Sequence, residues 1–189
     1  MAENRYTAVE ASAMAGLPLK AVQKAMDSGL IRPQRVRRGK QVQRLLSAGQ
    51  VVYLRLEAEG VRLLPLAARR KLARAVEASP DVATLAVSGG TALLVRVRQA
   101  RKDVDRGLKR LRKARRMAHS NPDFMGGTPV FRGTRIPVDL VAAILAQGAP
   151  VEEILDGYPS LKREQVELAP LYVAAFPRRG RPARRPWAK

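Results

Sequence analysis

The densest group of ionic side chains lies at the C-terminal end of the chain. Residues 177–189 contain three prolines, one glycine and no acid. Their cations are Arg178, Arg179, Arg181, Arg184, Arg185 and Lys189. The planar guanidinium of arginine binds a carboxylate or a phosphate through two parallel hydrogen bonds. Because the prolines exclude a helix and no apolar face is present, we expect an extended segment that binds an anionic partner.

Side chains that commonly carry catalysis are scarce. The chain has no cysteine, which excludes disulfides, thiolate nucleophiles and thiolate metal sites. Its one histidine, His119, is placed by the sequence in a linker, so no Ser–His–Asp set and no metal-ligand spacing can be built. The neighbouring Glu152 and Glu153 would project in different directions from a helix and are interpreted as solvating charges. We therefore expect no catalytic site, no metal and no cofactor, and a protein that is not an enzyme.

The excess of positive charge is distributed unevenly. Residues 1–118 hold 26 basic and 9 acidic residues, whereas residues 119–176 hold 4 basic and 7 acidic residues. The whole chain of 189 residues has a net charge of +20, and 46% of its residues are hydrophobic, enough for folded cores. Two basic regions thus flank a mildly acidic one. This segregation predicts binding to nucleic acid or to an acidic protein, and it is more than solubility requires.

Two short helices are predicted near the N-terminus. Thr7 to Glu10 has the form of a capping box, which starts a helix that reaches Ala15. Gly16-Leu17 interrupts the helical pattern, and Pro18 opens a second helix that ends at Ser28. A pair of helices joined by a tight turn is a helix-turn-helix candidate. Its expected apolar seam comprises Val9, Ala13, Leu17, Val22, Met26 and Leu30, and a third helix from Ser47 would turn Val51, Leu54 and Ala58 inward.

This stretch resembles the N-terminal winged helix of MerR-type regulators over roughly residues 5–59. The matching residues are Tyr6-Thr7, Ala13, Gly16, Gly29-Leu30-Ile31, Pro33, Arg35, Gly39 and Arg44-Leu45. The resemblance implies that the second helix lies in the major groove of DNA and that the wing contacts phosphates. The candidate DNA-binding residues are Lys20, Gln23 and Lys24 on the helix, with Arg35, Arg37, Arg38 and Lys40 on the wing.

A helix–hairpin–helix pattern is predicted between residues 61 and 118. Pro65 opens a helix that ends near Ser79-Pro80, and Val82–Val87 with Ala92–Val97 form a β-hairpin around Gly89-Gly90. Gln99 to Ala118 is helical, although Gly107 weakens it. One side of that helix is apolar: Val97, Ala100, Val104, Leu108, Leu111 and Ala118. Its other faces carry nine Lys and Arg residues, which are either a solvated surface or a surface that tracks phosphates.

Specific motifs follow from residue 118 onward. They are Pro122-Asp123, Met125-Gly126-Gly127, Pro129-Val130, Arg132 to Val138 and Glu152 to Leu161. Over about residues 118–176 these resemble the family called domain of unknown function 433. The resemblance implies an antitoxin of the VapB type, the partner of a PIN-domain ribonuclease toxin (VapC).

The residues of this segment predict their own elements. Val130-Phe131 and Arg135-Ile136 would pair across a tight turn at Gly133, with Pro137 ending the strand. Helices are expected at Val138–Gln147, with Val141, Ile144 and Leu145 inward, at Val151–Leu155, and from Lys162 or Arg163 to Ala175.

Together these patterns predict a mainly α protein with short β-hairpins (α+β). Four parts are expected: a winged helix-turn-helix at 1–60, a middle region at 61–118, a helix-turn-helix module that dimerises at 119–176 and an extended basic tail at 177–189. The expected function is that of a cytoplasmic, homodimeric antitoxin that represses its own operon by binding operator DNA. The residues expected to bind and block the PIN-domain toxin are Phe176, Arg178, Arg179, Arg181, Arg184, Arg185 and Trp187.

Other functions remain open at this point. The chain could be a stand-alone transcription regulator whose tail only adds DNA affinity, or an RNA-binding accessory protein. The sequence contains no signal-peptide pattern, and its longest weakly polar stretch, Leu140 to Val151, is too short to span a bilayer. We therefore expect no membrane association.

Overall fold

The computed structural model describes residues 5–39, 41–78, 95, 97–121 and 125–177. The helices are α1 (Ala8–Ala15), α2 (Leu19–Asp27), α3 (Ala48–Ala58), α4 (Leu66–Ala78), α5 (Val97–Met117), α6 (Val138–Ala146), α7 (Val151–Gly157) and α8 (Arg163–Ala175). The strands are β1 (Gln34–Arg38), β2 (Gln41–Leu45), β3 (Ala118–His119) and β4 (Val130–Phe131). A mainly helical chain with two small antiparallel sheets confirms the predicted α+β class.

The chain divides into two compact units, residues 1–112 and residues 113–189. The first contains α1 to α4, the β1–β2 hairpin and most of α5. The second contains the end of α5, β3, β4 and α6 to α8. The four-part organisation expected from the sequence stays a prediction.

Helix α1 begins and ends as its sequence dictates. The backbone N–H of Glu10 donates to the Thr7 hydroxyl at 3.3 Å, and the backbone N–H of Thr7 donates to the Glu10 carboxylate at 2.7 Å. These reciprocal bonds are the capping box. At the other end Gly16 adopts φ 71°, which only glycine takes up readily, and its N–H bonds to the carbonyl of Ser12.

The predicted seam is correct for α2 and wrong for α1. Val22, Met26 and Leu30 are buried, but Val9, Ala13 and Leu17 are only partly buried. Helix α1 instead turns Ala11 and Ala15 into the core, because a helix rich in alanine has no bulky stripe to choose its inward face. In α3 Val51 and Leu54 are buried as expected, whereas Ala58 is exposed at the end of the helix.

A buried ionic group joins α3 to α4. The Arg69 guanidinium donates two hydrogen bonds, each 2.8 Å long, to the two oxygens of the Glu57 carboxylate. The Tyr53 hydroxyl donates to the same carboxylate. Glu57 is 6% exposed and Tyr53 is fully buried. Burial, followed by the hydrogen bond to Glu57, raises the pKa of Tyr53 well above its usual range, so this phenol stays protonated.

Helix α5 packs its predicted apolar face inward. Val97, Ala100, Val104, Leu108 and Leu111 are all buried. Gly107 has a packing role that the sequence did not reveal: a Cβ at this position would lie 3.1 Å from the Met14 sulfur of α1. The helix starts at Val97, so the prediction that Val97 ends a strand is wrong. Apart from Val95 and Val97, the predicted hairpin at 82–97 lies outside the described residues.

The pairing of strands β3 and β4 differs from what the sequence predicted for the second unit. His119 pairs with Val130, and Ala118 pairs with Phe131. His119 therefore lies in a strand and not in a linker. The predicted pairing across Gly133 is present only in part, as one hydrogen bond from the Phe131 N–H to the Ile136 carbonyl at 3.0 Å and a bridge between Val130 and Pro137. Strand β4 takes its ladder partner from the two residues that directly follow α5.

The core of the second unit is formed by β4 and three helices. Phe131, Val138, Val141 and Val166 are fully buried, and Ile144 and Leu145 pack against them in part. The last turn of α5 adds Ala114 and Met117 to this cluster. The helices predicted over 138–147, 151–155 and 163–175 are confirmed, with Gln147 as the C-terminal cap of α6 and two more residues in α7.

Candidate nucleic-acid interface

The exposed face of α2 carries three of the predicted DNA-binding residues. Lys20, Gln23 and Lys24 are all exposed. At 100° per residue they share one face of the helix with Asp27, while Val22 and Met26 point to the opposite, buried face. In the part of the chain that the structure describes, neither lysine forms an ion pair. This face can therefore offer ammonium and amide donors to an external ligand.

The β1–β2 hairpin presents a second basic face. Its strands pair antiparallel, with Arg35 opposite Arg44 and Arg37 opposite Val42, and Gly39 in the turn has φ 60°. Directly opposed residues, and residues two apart, lie on the same side of a two-stranded sheet. Arg35, Arg37 and Arg44 consequently share one face, on which Val42 is 63% exposed. The alternation of β1 puts Arg35 and Arg37 on this face, and the cross-strand register adds Arg44.

An ion pair connects these two faces. The Arg44 guanidinium lies 2.5 Å from the Asp27 carboxylate at the end of α2. Since Asp27 belongs to the face with Lys20, Gln23 and Lys24, the basic side of the hairpin continues that of the helix. The pair is solvent-exposed and contributes little to stability by itself. The contact shows that the basic side of the hairpin lies next to the C-terminal end of α2.

More arginines surround the C-terminal end of α2. Arg70 on α4 donates a hydrogen bond of 3.3 Å to the carbonyl of Ser28. Arg70, Arg32 and Arg74 line a small cleft of about 60 Å³ beside Gly29. Neither these three arginines nor Arg44 were among the DNA contacts predicted from the sequence. The register of the hairpin could have revealed Arg44 as the partner of Arg35, whereas Arg70 and Arg74 come from a helix whose docking no local pattern encodes.

The remaining predicted DNA contacts lie at the tip of the hairpin. Arg38 is the last residue of β1 and pairs with Gln41. The side chain of Arg38 and all of Lys40 lie outside the described residues. The structure thus has Lys20, Gln23 and Lys24 on one face of α2, and Arg35 and Arg37 on one face of the hairpin, with the ion pair of Arg44 and Asp27 between the two elements.

Of the expected toxin-binding residues, the structure describes Phe176. This residue caps the end of α8, with its ring centroid 5.1 Å from that of Tyr172 and the Arg115 guanidinium 6.0 Å above it. Tyr172, Phe176, Pro129 and Val173 line a small apolar pocket of about 30 Å³. Arg178, Arg179, Arg181, Arg184, Arg185 and Trp187 lie outside the described residues.

The part of the chain that the structure describes holds neither a metal-ligand cluster nor a membrane-spanning helix. No group of three or more His, Asp or Glu side chains among the described residues is arranged to hold a metal ion. No helix in that part of the chain is long and apolar enough to cross a bilayer.

A basic helix face thus lies beside a basic hairpin face near one end of the chain. Comparison with known proteins gives a family match for a segment nearer the other end. Residues 119–173 match the family described as Protein of unknown function (DUF433). The family expected over about residues 118–176 is therefore confirmed for that segment.

The comparisons also include a curated relative and a solved structure. The uncharacterised protein y4eO of Sinorhizobium fredii is 52% identical over 71 residues, which are 38% of this chain and 32% of that protein. The matched region is thus about a third of that relative's length. The crystal structure of Rv2018 from Mycobacterium tuberculosis aligns with 87% of this chain and 95% of its own, at 14% identity and a TM-score of 0.29. A TM-score that low supports no statement about fold or function.

Proposed function

We propose that this chain is a DNA-binding antitoxin of a toxin–antitoxin pair. The observation that carries the DNA-binding part is the continuous basic surface of α2 and the hairpin, joined by the pair between Arg44 and Asp27. The antitoxin part rests on the family of residues 119–173 and on the arginine-rich tail. The protein binds as a homodimer, since a two-fold operator needs two readers.

In this proposal α1 and α2 act as a helix-turn-helix and the β1–β2 hairpin acts as its wing. Helix α2 enters the major groove, where Gln23 is suited to the edge of adenine and the two lysines to guanine. Arg35, Arg37 and Arg44 lie on one side of the hairpin and bind phosphates of the flanking backbone. The net charge of residues 1–118, with 26 basic against 9 acidic residues, attracts the duplex over a longer range.

Variants of α2 and of the hairpin test the DNA-binding part differently. The probe is duplex DNA from the region upstream of the gene for this protein, and binding is measured by anisotropy over a range of salt concentrations. Arg35→Gln with Arg37→Gln is expected to weaken binding of all sequences and to lower the salt slope by about 2. Gln23→Ala is expected to relax the preference for one base. The control is Lys71→Gln, which changes an exposed cation on α4. A loss of DNA binding by this control equal to that of the double variant Arg35→Gln with Arg37→Gln would contradict the assignment of the hairpin as a phosphate contact.

The tail is proposed to block the partner. A PIN-domain nuclease holds its magnesium with acidic side chains, as the resemblance implies, and the five arginines after Pro177 can bind these carboxylates in pairs of hydrogen bonds. Trp187 would add an apolar anchor. Phe176, packed on Tyr172 at the end of α8, fixes the point from which the tail departs.

Truncation after Phe176 separates an antitoxin from a stand-alone regulator. The shortened chain is expected to bind operator DNA and to lose neutralisation of the nuclease encoded beside it, measured as RNA cleavage in a mixture of the two proteins. A variant with the five tail arginines changed to lysine keeps the charge and controls for simple ionic attraction. Full neutralisation by the truncated chain would refute the tail mechanism. If no neighbouring gene encodes a nuclease, the regulator alternative gains support.

A further inference from the structure

Helix α5 presents a row of cations that the proposed interface does not include. Its apolar side is buried in the first unit, and the opposite side is exposed. At 100° per residue, Arg98, Lys102, Arg106 and Lys109 fall within a sector of 80° on that exposed side. We call these four residues the α5 stripe. With a rise of about 1.5 Å per residue, the stripe extends about 16 Å along the helix.

The stripe is poorly neutralised. Among the described residues Arg98, Lys102 and Lys109 have no acidic partner, and Arg106 has only Asp103, at 3.8 Å. Two exposed cations of the second unit differ: Lys113 is 2.5 Å from Glu164, and Arg163 is 2.6 Å from Glu152. A surface that serves only solubility mixes both signs of charge.

The arrangement also opposes the stability of the helix that carries it. Arg98 and Lys102, and again Lys102 and Arg106, are like charges four residues apart, which destabilise a helix. The first turn of α5 contains no acid and holds Arg98, although the positive end of the helix dipole favours anions there. An anion along this face would relieve both effects at once.

We propose that the α5 stripe is a second phosphate-contacting surface, which binds the backbone of the DNA duplex held by α2 and the hairpin. Long, flexible cations in a row match a sequence-independent contact to phosphates and not a contact to base edges. The inference rests on the proposed DNA-binding function and extends it from α2 and the β1–β2 hairpin to helix α5.

Two variants with equal loss of charge test this. The stripe variant carries Lys102→Gln and Arg106→Gln, and the control carries Arg62→Gln and Lys71→Gln. The control residues are also exposed cations of the first unit. Both are measured by anisotropy, as the intact protein, on a long duplex from upstream of its gene, on an unrelated duplex and on RNA of equal length.

The stripe variant is expected to bind both duplexes about tenfold more weakly at physiological salt, with a salt slope lower by about 2. The control is expected to change the slope by less than 1, roughly the value of one contact. Thermal unfolding adds a second readout: removing the like-charge neighbours should leave the melting temperature of the stripe variant unchanged or raised. A merely solvating face would give equal DNA binding by the two variants, which overturns the inference.

The other possible results separate failure of the α5 stripe from failure of the proposed DNA-binding function. If Arg35→Gln with Arg37→Gln weakens DNA binding and the stripe variant does not, the inference fails and the proposed function stands. A stripe variant that loses RNA binding alone shows that the stripe serves RNA, which overturns the assignment to DNA. If the wild-type protein binds no duplex at any salt concentration, both proposals fail together.

Discussion

The ionic group between α3 and α4 allows a quantitative prediction. Arg69→Met removes both charge-assisted hydrogen bonds to Glu57, which is 6% exposed, and leaves its carboxylate with Tyr53 as the remaining donor. Removing one partner of a buried ion pair costs about 3–5 kcal/mol. The lower end applies, since the Arg69 side chain is 23% exposed and water can replace part of its contact. We expect a loss of about 3 kcal/mol in the free energy of unfolding.

Denaturant unfolding and thermal unfolding both measure this loss. A loss of that size lowers the melting temperature by about 6–12 °C for a chain of this length. The m-value should stay constant if the native fold is retained. Lys71→Met on the same helix is the matched control, because Lys71 is exposed and its removal is expected to cost less than about 0.5 kcal/mol.

A double variant separates the loss of an ion pair from the loss of packing. Glu57→Gln combined with Arg69→Met removes the uncompensated charge, so it should be more stable than Arg69→Met alone. The reasoning is refuted if Arg69→Met costs no more than Lys71→Met, or if the double variant is the less stable of the two.

Three further predictions concern other parts of the fold. Gly107→Leu should destabilise the protein by about 1–3 kcal/mol, because its side chain collides with Met14; denaturant unfolding measures this, and the additional change Met14→Ala should restore part of the loss. Phe131→Ala should cost about 3–5 kcal/mol, since this fully buried ring fills the core of the second unit, and a loss below 1 kcal/mol would contradict that role. Folding raises the pKa of Tyr53 above its unfolded value of about 10. The stabilising effect of the protonated Tyr53 side chain is therefore complete below pH 10 and is lost as pH rises further. Above pH 10 the free energy of unfolding should fall less steeply with pH in Tyr53→Phe than in the wild-type protein.

Local sequence signals placed most of the elements correctly. The capping box at Thr7, the glycine after Ala15 and the apolar spacing of α5 and α6 each depend on interactions within a few residues, which is why they could be predicted. The same signals were ambiguous in α1, where alanine fills half of the positions, and the predicted inward face was wrong. At Val97 a short apolar run fits either a strand or a helix, and the structure has a helix.

The sequence alone determined the segregation of charge, the scarcity of catalytic side chains and the match of residues 119–173 to their family. Tertiary structure decided which cations share a surface. The pairing of Arg44 with Asp27, the packing of Gly107 against Met14 and the pairing of His119 with Val130 all join residues distant along the chain or on different elements. Such contacts depend on how whole elements dock, and this docking cannot be predicted from the short-range periodicity of the sequence.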